Sequence, residues 1–465
     1  MPAQRRLMLV LVICGVAMSA LTQRPAMSDE ASSAAAPAPE PLSLEQAVTT
    51  ALTLSPLLYQ AEQELLAARD GVTQARAAGS VTAEIGVTQT RVSEVSTLTL
   101  AVPAPPPDYV TFQTVSLGSK DNTTGTLTVA KPLYTGGRIP AAARQARAGA
   151  DATLAGLQRT RQTVTNDVQR AYYGALVAAD FVAVAEGALT SAREHLRVAQ
   201  ARQDAGVAPR FDVLRAKARG AQSEQALIQA RNGLNLARAA LNHAMGVGQD
   251  REFVLTTPLA EPTDTAGLDL TALVSRARET RPEIHQTQAL IEAAGAGVSL
   301  ARSAKHPTLG VAWMYSRPLE TSAFQVSNWT LALTAGLNIF DGRQTSAAVS
   351  RARHERERAR GLLEQVRQGI ALQVRQAYLD LDSARERITA ATAGVTEAEE
   401  AHRVAGLRYE AGVGISVEVI DAEVAVASAG NDYARAVYDY NVAAAQLEYA
   451  VGASAAAAPA ESQAQ

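Results

Sequence analysis

The fold is decided by two short stretches of the sequence, TLGVAWMY at residues 308–315 and WTLALTAGLN at residues 329–338. In both stretches large apolar side chains alternate with small or polar ones, which is the period of a two-faced β-strand. We predict a strand pair at about residues 307–339. Its tryptophans, Trp313 and Trp329, are predicted to lie near strand ends, as in the aromatic girdles of membrane barrels. The alternative is a strand pair that packs on a soluble core.

The first half of the chain matches the second half, which predicts a second strand pair at about residues 80–133. Leu42-Ser43-Leu44 matches Leu268-Asp269-Leu270 at an offset of 226, and Ala171-Tyr172 matches Ala377-Tyr378 at an offset of 206. We therefore predict a twofold internal repeat. The smaller offset downstream indicates an insertion in the first copy. It coincides with the proline-rich run Val102–Pro107, which we predict to be a surface loop.

A long helix follows each predicted strand pair. No proline occurs between Ala141 and Asp204 or between Thr345 and Glu410. At 1.5 Å per residue, about 65 helical residues extend roughly 95 Å. Gly206 and Gly412 directly follow these helices and are predicted to mark hairpin tips far from the strands.

Two shorter helices are predicted to stack end to end beside each long one. In the first copy they are Pro56–Ala78 and Pro209–Gly246. Ser55 precedes a proline at the first helical position, which predicts that its side chain caps the helix. Aromatic residues make up only 4% of the chain against 47% hydrophobic residues, and much of that fraction is alanine. This composition suits long helices that pack closely side by side.

The N-terminus has the pattern of a secretory signal peptide. Arg5-Arg6 is followed by an apolar run that ends at Ala20, so residues 1–20 are predicted to be cleaved and residues 21–41 to form a flexible segment. The only cysteine, Cys14, lies inside the apolar run, and lipidation of Cys14 is an alternative. After Ala20 no stretch approaches 18 apolar residues. An exported chain of this kind is either soluble or crosses a membrane as a β-barrel.

The strand count predicts an oligomer. Two pairs contribute four strands, and an open sheet edge is not tolerated in lipid, so closure requires several chains. The predicted organisation is repeat 1 at residues 42–250, a linker at 251–267, repeat 2 at 268–452 and a disordered tail at 453–465. The turns that join the strands, Pro103–Asp108 and Glu320–Gln325, are predicted to face the cell exterior.

The sequence resembles the outer-membrane efflux proteins typified by TolC. The resemblance rests on Pro-Leu-Tyr-Thr-Gly-Gly-Arg (132–138) before the first long helix, on Ala-Gly-Val (205–207) followed by Asp-Val-Leu (212–214), and on Arg-Tyr-Glu-Ala-Gly-Val (408–413) followed by Glu-Val-Ile-Asp-Ala (418–422). It covers about residues 42–452. Single motifs are weak, but their order and repetition are specific.

The resemblance implies a mixed α and β fold, in which a long α-helical barrel continues a transmembrane β-barrel that closes only on trimerisation. It also implies a homotrimer in outer-membrane lipid that serves as the exit duct of an efflux pump or a type I secretion system. The implied partners are a periplasmic adaptor and an inner-membrane transporter. A soluble exported coiled-coil structural or adaptor protein is the alternative, because adaptors also have long helical hairpins.

The resemblance further implies functional residues at the periplasmic tip. Glu418 and Asp421 match two aspartates that ring the pore constriction, and they lie three residues apart on one side of a helix. The neighbouring stripe Val417, Ile420 and Val424 is predicted to pack against another helix. The alternative for both acids is a solvated first helical turn, where the helix dipole favours negative charge.

Two further groups of tip residues follow from the resemblance. The hydroxyl of Tyr409 and the carboxylate of Asp212 match a hydrogen-bonded latch between adjacent hairpins, with simple packing of the Tyr409 ring as the alternative. The turn residues Gly206, Val207, Gly412 and Val413 are predicted to contact the adaptor.

Nothing in the sequence indicates catalysis, and no cofactor or metal is predicted. The six histidines are scattered without metal-ligand spacing and are predicted to be solvated: His195, His243, His285, His306, His354 and His402. A net charge of -3 argues against binding to nucleic acid. The arginine-rich segment Arg351–Arg360 also carries Glu355 and Glu357 and is predicted to be a solvated helix face.

Overall fold

The computed structural model describes residues 40–103, 105–106, 110–260, 269–319 and 326–452. The predicted signal peptide, nearly all of the segment 21–41 and the tail 453–465 lie outside the described residues. So do part of the linker, all of the Glu320–Gln325 turn and half of the Pro103–Asp108 turn.

The chain divides into two compact units. The smaller comprises residues 1–41 and 252–254, and its described part belongs to a two-stranded sheet of β1 (Glu40–Leu42) and β6 (Phe253–Leu255). The larger comprises residues 42–251 and 255–465 and contains the other described strands and all described helices.

The helices of the larger unit occur as two series with the same lengths in the same order, namely 11, 22, 67 and 36 residues. The first series is α1 (Leu44–Leu54), α2 (Pro56–Ala77), α3 (Arg138–Asp204) and α4 (Arg210–Met245). The second is α5 (Leu270–Thr280), α6 (Pro282–Ser303), α7 (Gln344–Glu410) and α8 (Ser416–Val451). A helix of 67 residues extends about 100 Å. The predicted long helices are confirmed.

The shorter helices stack end to end, as predicted. Gly246 ends α4 with a φ of 74°, and a Cβ at this position would lie 2.9 Å from the carbonyl oxygen of Leu54 at the end of α1 and 3.3 Å from Cδ of Pro56 at the start of α2. Gly452 ends α8 with a φ of 78°, and a Cβ there would lie 2.7 Å from Oγ1 of Thr280. Glycine is required at both positions because the backbone adopts a left-handed conformation there and the neighbouring helix leaves no room for a Cβ atom.

The cap prediction for Ser55 is only half right. Ser55 occupies the N-cap position of α2 and Pro56 is the first helical residue, but the Ser55 side chain makes no capping hydrogen bond. Ser55 also ends α1, where its N–H donates to the carbonyl of Ala51. One residue therefore joins two helices, and its side chain is buried between them.

Each long helix packs against the three shorter helices of its own series, and α3 also packs against α6 and α8. Buried positions on α7 recur at alternating spacings of four and three, which is the heptad pattern of a coiled coil: Ile370, Val374, Ala377, Leu381, Ala384 and Ile388. They meet a matching row on α8 that includes Tyr440, Ala443 and Leu447. Alanine at many buried positions lets the helix axes approach closely.

Helix α3 contains an 18-residue window with a mean hydropathy of 1.5, apolar enough by length and composition to cross a membrane. This corrects the prediction that no such stretch follows Ala20. Alanine raises the mean hydropathy of the window without a continuous run of large apolar side chains. α3 packs along five other helices, but only 28% of this window is buried within the chain.

Four antiparallel strands form the main sheet in the order β2 (Thr82–Arg91), β5 (Asp121–Tyr134), β7 (Thr308–Pro318) and β8 (Asn328–Gly336). The register places Ile85 beside Leu127, Leu127 beside Tyr315, and Trp313 beside Leu331. One face of the sheet is thus apolar, and the opposite face is rich in threonine. The predicted two-faced strands are confirmed.

The apolar face of this sheet is uncovered. Ile85 is 81% exposed, Leu333 is 68% exposed and Trp329 is 65% exposed. This disfavours the alternative of a strand pair packed on a soluble core. Trp329 lies near the start of β8, but Trp313 lies in the middle of β7, because β7 continues to Pro318. The prediction that both tryptophans lie at strand ends is therefore wrong for Trp313.

The insertion in the first half is a ribbon and not the loop that was predicted. Thr97–Pro103 (β3) and Val110–Ser116 (β4) pair as a separate antiparallel sheet between β2 and β5. Val102 and Pro103 end β3, and Pro105 and Pro106 lie in the connection. Alternating threonine and apolar side chains on both arms favour pairing.

Candidate functional site

The ends of the two long helices form matching turns. In the first, Gly206 has a φ of 72°, its N–H donates to the carbonyl of Gln203, and the N–H of Val207 donates to the carbonyl of Arg202. Gly412 and Val413 repeat these two bonds. This is the Schellman motif, which needs a left-handed residue after the helix. Val207 is 65% exposed and Val413 is 72% exposed, so both turns present an apolar side chain to solvent.

Arg202 joins the two hairpins near these turns. Its Nη1 donates hydrogen bonds to the carbonyl oxygens of Tyr409 and Glu410, the latter at 3.2 Å. Its guanidinium carbon lies 4.7 Å from the centre of the Tyr409 ring. Carbonyls in the last turn of a helix lack intrahelical partners and carry the negative end of the helix dipole. The cation therefore caps the end of α7 from the neighbouring hairpin.

His195 is the second link between the hairpins. Its Nε2 is 3.0 Å from Oγ of Ser416, and its ring centre is 5.2 Å from that of Tyr409. His195 is buried, so the prediction of a solvated histidine is wrong at this position. The position lies on the same face of α3 as the buried residues Ala192 and Ala199. This stripe of small residues is the signal in the sequence that points to burial.

Tyr409 is packed differently from the predicted latch. Its hydroxyl is buried and has no hydrogen-bond partner among the described residues, so the bond to Asp212 is not formed within the chain. Burial raises the pKa of the Tyr409 phenol, the Asp212 carboxylate raises it further, and Arg202 lowers it. The ring lies between His195 and Arg202, as the packing alternative described. The hydroxyl is turned inward between the hairpins, whereas Asp212 is partly exposed.

Glu418 and Asp421 are both exposed on the first turns of α8. Oε2 of Glu418 is 3.6 Å from Nε of Arg408, so one of the two acids already has a cationic neighbour. The predicted packing stripe Val417, Ile420 and Val424 is not buried within the chain, and its packing against another helix stays a prediction for contacts between chains. The buried side of these turns carries Ser416, Val419 and Glu423, because α8 is rotated to place those residues against α3 and α7.

A buried ion pair that the sequence analysis missed lies one turn further along α8. Oε2 of Glu423 is 3.6 Å from Nε of Arg219 on α4, and the Glu423 side chain is 1% exposed. Burial raises the pKa of the Glu423 carboxyl, and Arg219 lowers it. Glu423 follows Val419 by four residues, and this helical spacing from a buried position is its only signal in the sequence.

Acid is expected to weaken the contact between the hairpins. Burial lowers the pKa of His195 below 6.5, Asp212 raises it and His402 lowers it. Because the folded-state pKa is depressed, the stabilisation by His195 is present above pH 6.5 and is lost as the pH falls through the lower folded-state value. Thermal unfolding between pH 7.5 and pH 5 should show this loss. The change His195→Gln, which keeps a donor but does not titrate, should flatten it, and the exposed control His354→Gln should not.

No group of three His, Cys, Asp or Glu side chains is placed to hold a metal ion within the described part of the chain. The tip therefore consists of exposed carboxylates, an inter-hairpin cap and two apolar turn residues.

The fold of this chain also occurs in a solved outer-membrane protein. It matches the outer-membrane channel OprN with a TM-score of 0.72 at 20% sequence identity, over 88% of this chain and 90% of that chain. The chain belongs to the outer membrane efflux protein family, whose sequence model matches residues 47–247 and 273–453. The protein is accordingly an outer-membrane protein.

Two curated relatives have similar sequences. Protein CyaE of Bordetella pertussis is 29% identical over 301 residues, which are 64% of this chain and 64% of CyaE. The alkaline protease secretion protein AprF of Pseudomonas aeruginosa is 26% identical over 344 residues, which are 71% of this chain and 70% of AprF. The matched regions thus span about two thirds of the length of these relatives.

Proposed function

We propose that three copies of this chain form a gated channel across the outer membrane, which is the exit duct of an efflux pump or a type I secretion system. The main support is a four-stranded sheet with an uncovered apolar face, attached to helices about 100 Å long. The family and the similarity to the outer-membrane channel OprN and the secretion protein AprF support a channel and a role in secretion. The sheet and the family both disfavour the soluble adaptor alternative.

We propose that the sheet closes into a twelve-stranded barrel, with four strands from each chain. Strands β2 and β8 are the edges of the described sheet. In lipid, unpaired backbone groups must find partners, and β2 of one chain can pair with β8 of the next. The apolar face then contacts lipid and the threonine-rich face lines the lumen. The helices would continue this barrel as an α-helical barrel.

We propose that the chain arose as a twofold repeat, with copies at residues 42–250 and 268–452, a linker at 251–267 and a tail at 453–465. The equal helix lengths of the two series and the two segments matched by the family model support this division. The proposed partners are a periplasmic adaptor, which contacts Gly206, Val207, Gly412 and Val413, and an inner-membrane transporter. Transport is passive, and we propose no catalysis and no binding of nucleic acid.

We propose that the tip is the gate. Glu418 and Asp421 would form the pore constriction, with two carboxylates from each of three chains. Tyr409 would hold the closed state through the contacts of its ring with Arg202 and His195. Asp212 would remain a latch residue, because its carboxylate lies near enough to the Tyr409 phenol to raise the pKa of that group. Arg202 and His195 are thereby added to the latch residues Asp212 and Tyr409.

The proposed topology predicts opposite labelling of two introduced cysteines. Pro105, in the connection between β3 and β4, and Val207, at a hairpin tip, are both exposed. Pro105→Cys should react with a membrane-impermeant maleimide on intact cells, whereas Val207→Cys should react only after the outer membrane is permeabilised. The native Cys14 lies in the predicted signal peptide, so it adds no background after cleavage. Labelling of Pro105→Cys only after permeabilisation would contradict the topology.

The proposed channel is tested by ion selectivity in planar bilayers. Rings of carboxylates select cations. The double change Glu418→Gln/Asp421→Asn should therefore bring the cation-to-anion permeability ratio, measured from reversal potentials in a KCl gradient, to about one. The control Glu364→Gln/Asp382→Asn removes two exposed carboxylates elsewhere on α7 and should keep the wild-type ratio. Equal ratios in both variants would rule out the ring, and the absence of conductance in the wild type would rule out the channel.

A further inference from the structure

A groove between α2 and α3 combines apolar and cationic side chains. It has a volume of about 310 Å³. Its apolar lining includes Leu65, Val72 and Leu154, and its cationic lining consists of Arg69, Arg76 and Arg147. The only carboxylate in the lining is that of Asp151. The groove therefore offers a positively charged rim above an apolar floor.

The three guanidinium groups are not used within the chain. Across the described residues, none of them donates a side-chain hydrogen bond or forms an ion pair, whereas many other arginines pair with glutamate on the same or a neighbouring helix. The chain as a whole carries a net charge of -3. Three unpaired guanidinium groups around one groove are thus a local excess of positive charge on an acidic protein. Guanidinium is suited to bidentate recognition of phosphate and carboxylate.

The arginines lie close to the strand end of the helices. Arg76 is the second-last residue of α2, and Arg69 is two turns away on the same face. Arg147 lies nine residues into α3, about 14 Å along its axis from the start. Arg147 also lines a second groove of about 340 Å³ on the other side of α3, together with Arg144. A negatively charged ligand in the first groove would thus meet cations from two helices.

The apolar floor distinguishes this groove from a site for inorganic anions. Leu65 is buried in it and Leu154 is 38% exposed, so part of the floor still contacts water. A ligand with an apolar body removes this surface from water, while its anionic group contacts the rim. An inorganic anion would use only the rim.

We propose that the groove between α2 and α3 binds an amphipathic anion, whose phosphate or carboxylate contacts Arg69, Arg76 and Arg147 and whose apolar part covers Leu65, Val72 and Leu154. Two sources supply this chemistry, an acidic phospholipid of the adjacent membrane leaflet or a soluble amphiphile that passes the protein. Binding itself does not depend on the proposed channel function. Only the idea that the ligand is a phospholipid of the membrane rests on the proposed channel function.

The test uses the full-length protein, purified in a nonionic maltoside detergent, and isothermal titration calorimetry. One arm titrates dihexanoylphosphatidylglycerol, with the zwitterionic dihexanoylphosphatidylcholine as its charge control. A second arm titrates cholate as a soluble amphiphile, and a third titrates inorganic phosphate. Each is repeated with Arg69→Gln/Arg147→Gln and with Arg231→Gln/Arg238→Gln, a control that removes two exposed arginines from α4. Circular dichroism verifies the helix content of each variant.

At least one anionic amphiphile should bind more tightly than the zwitterionic lipid and than phosphate. Its binding should weaken by about tenfold or more in Arg69→Gln/Arg147→Gln, because each bond to a charged group contributes strongly, and should be unchanged in the control. Preference for the phosphatidylglycerol or for cholate identifies the source. The proposal is overturned if neither amphiphile binds, if phosphate binds equally well, or if both double variants behave alike. It is also overturned if Arg69→Gln/Arg147→Gln dissociates the oligomer, since the groove would then be a contact between chains. Conductance of the same preparation tests the channel separately.

Discussion

Replacement of Arg202 by glutamine is expected to open the closed channel. Arg202 donates to the last-turn carbonyls of Tyr409 and Glu410 and covers the Tyr409 ring, so it holds the end of α7 against α3. Hydrogen bonds from a charged donor contribute about 1.5–3 kcal/mol each, and Arg202 is half-buried. Loss of about 1.4–2.8 kcal/mol from the closed state raises the ratio of open to closed channels by about 10- to 100-fold. Single-channel recordings in planar bilayers measure this ratio.

Two control variants separate the roles of charge and of the phenol hydroxyl. Arg197 lies on the same helix but forms an exposed pair with Glu194, and such pairs contribute little because water and salt screen them, so Arg197→Gln should keep the closed state. Tyr409→Phe removes a hydroxyl that has no partner among the described residues and should also keep it. The opposite outcome, in which Tyr409→Phe opens the channel and Arg202→Gln does not, would contradict this expectation. The latch would then be the hydrogen bond between the Tyr409 hydroxyl and the Asp212 carboxylate, formed between neighbouring chains.

Replacement of Arg281 by methionine is expected to cost more stability than any other single change considered above. Arg281 is 2% exposed at the junction of α5 and α6. Its Nη1 donates to the carbonyl of Tyr449 at 2.8 Å, its Nη2 and Nε donate to Glu283 at 2.7 and 3.0 Å, and its Nη2 also donates to Gln373 at 3.2 Å. Removal of one member of a buried ion pair costs about 3–5 kcal/mol, and we expect about 3 kcal/mol here because Glu283 keeps a longer pair of 3.5 Å with Arg159. The free energy of unfolding should fall by that amount in urea titrations of the purified protein.

The chain supplies a matched control for this experiment. Ser55 occupies the position in the first series that Arg281 occupies in the second, between an 11-residue and a 22-residue helix. Because the Ser55 side chain makes no capping bond, Ser55→Ala should change the free energy of unfolding by less than about 0.5 kcal/mol. Equal losses in the two variants would show that the junction itself is sensitive and that the Arg281 network contributes little.

Elements with a strong local signal were predictable. The alternation at residues 308–315 and 329–338 predicted two strands, because a strand exposes successive side chains on opposite faces whatever its partner is. The absence of proline predicted the long helices to within a few residues. Gly206 and Gly412 predicted the tips, since a left-handed residue after a helix end is a property of the local backbone.

The insertion between β2 and β5 shows the limit of local signals. Its prolines favoured a loop, but the flanking threonine and apolar residues pair with each other across the ribbon β3–β4. The ribbon forms only when the two arms on either side of the prolines pair with each other, so the sequence of one arm alone does not distinguish a strand from a loop. The prolines correctly indicated the connection at Pro105 and Pro106, but they led us to predict a loop that was too long.

The sequence by itself determined the main strands and their two faces, the long helices and the hairpin tips, because each of these depends on neighbours within a few residues, whereas it did not determine the ribbon β3–β4. Only the tertiary structure decided that His195 meets Ser416, that Glu423 meets Arg219, that Arg281 is buried and that the Tyr409 hydroxyl is left without the predicted partner. These contacts join residues more than 150 positions apart or depend on the rotation of a helix about its axis. A helix of 67 residues with alanine on several sides can bury more than one face, so the choice of buried face follows from the stagger between hairpins and not from periodicity.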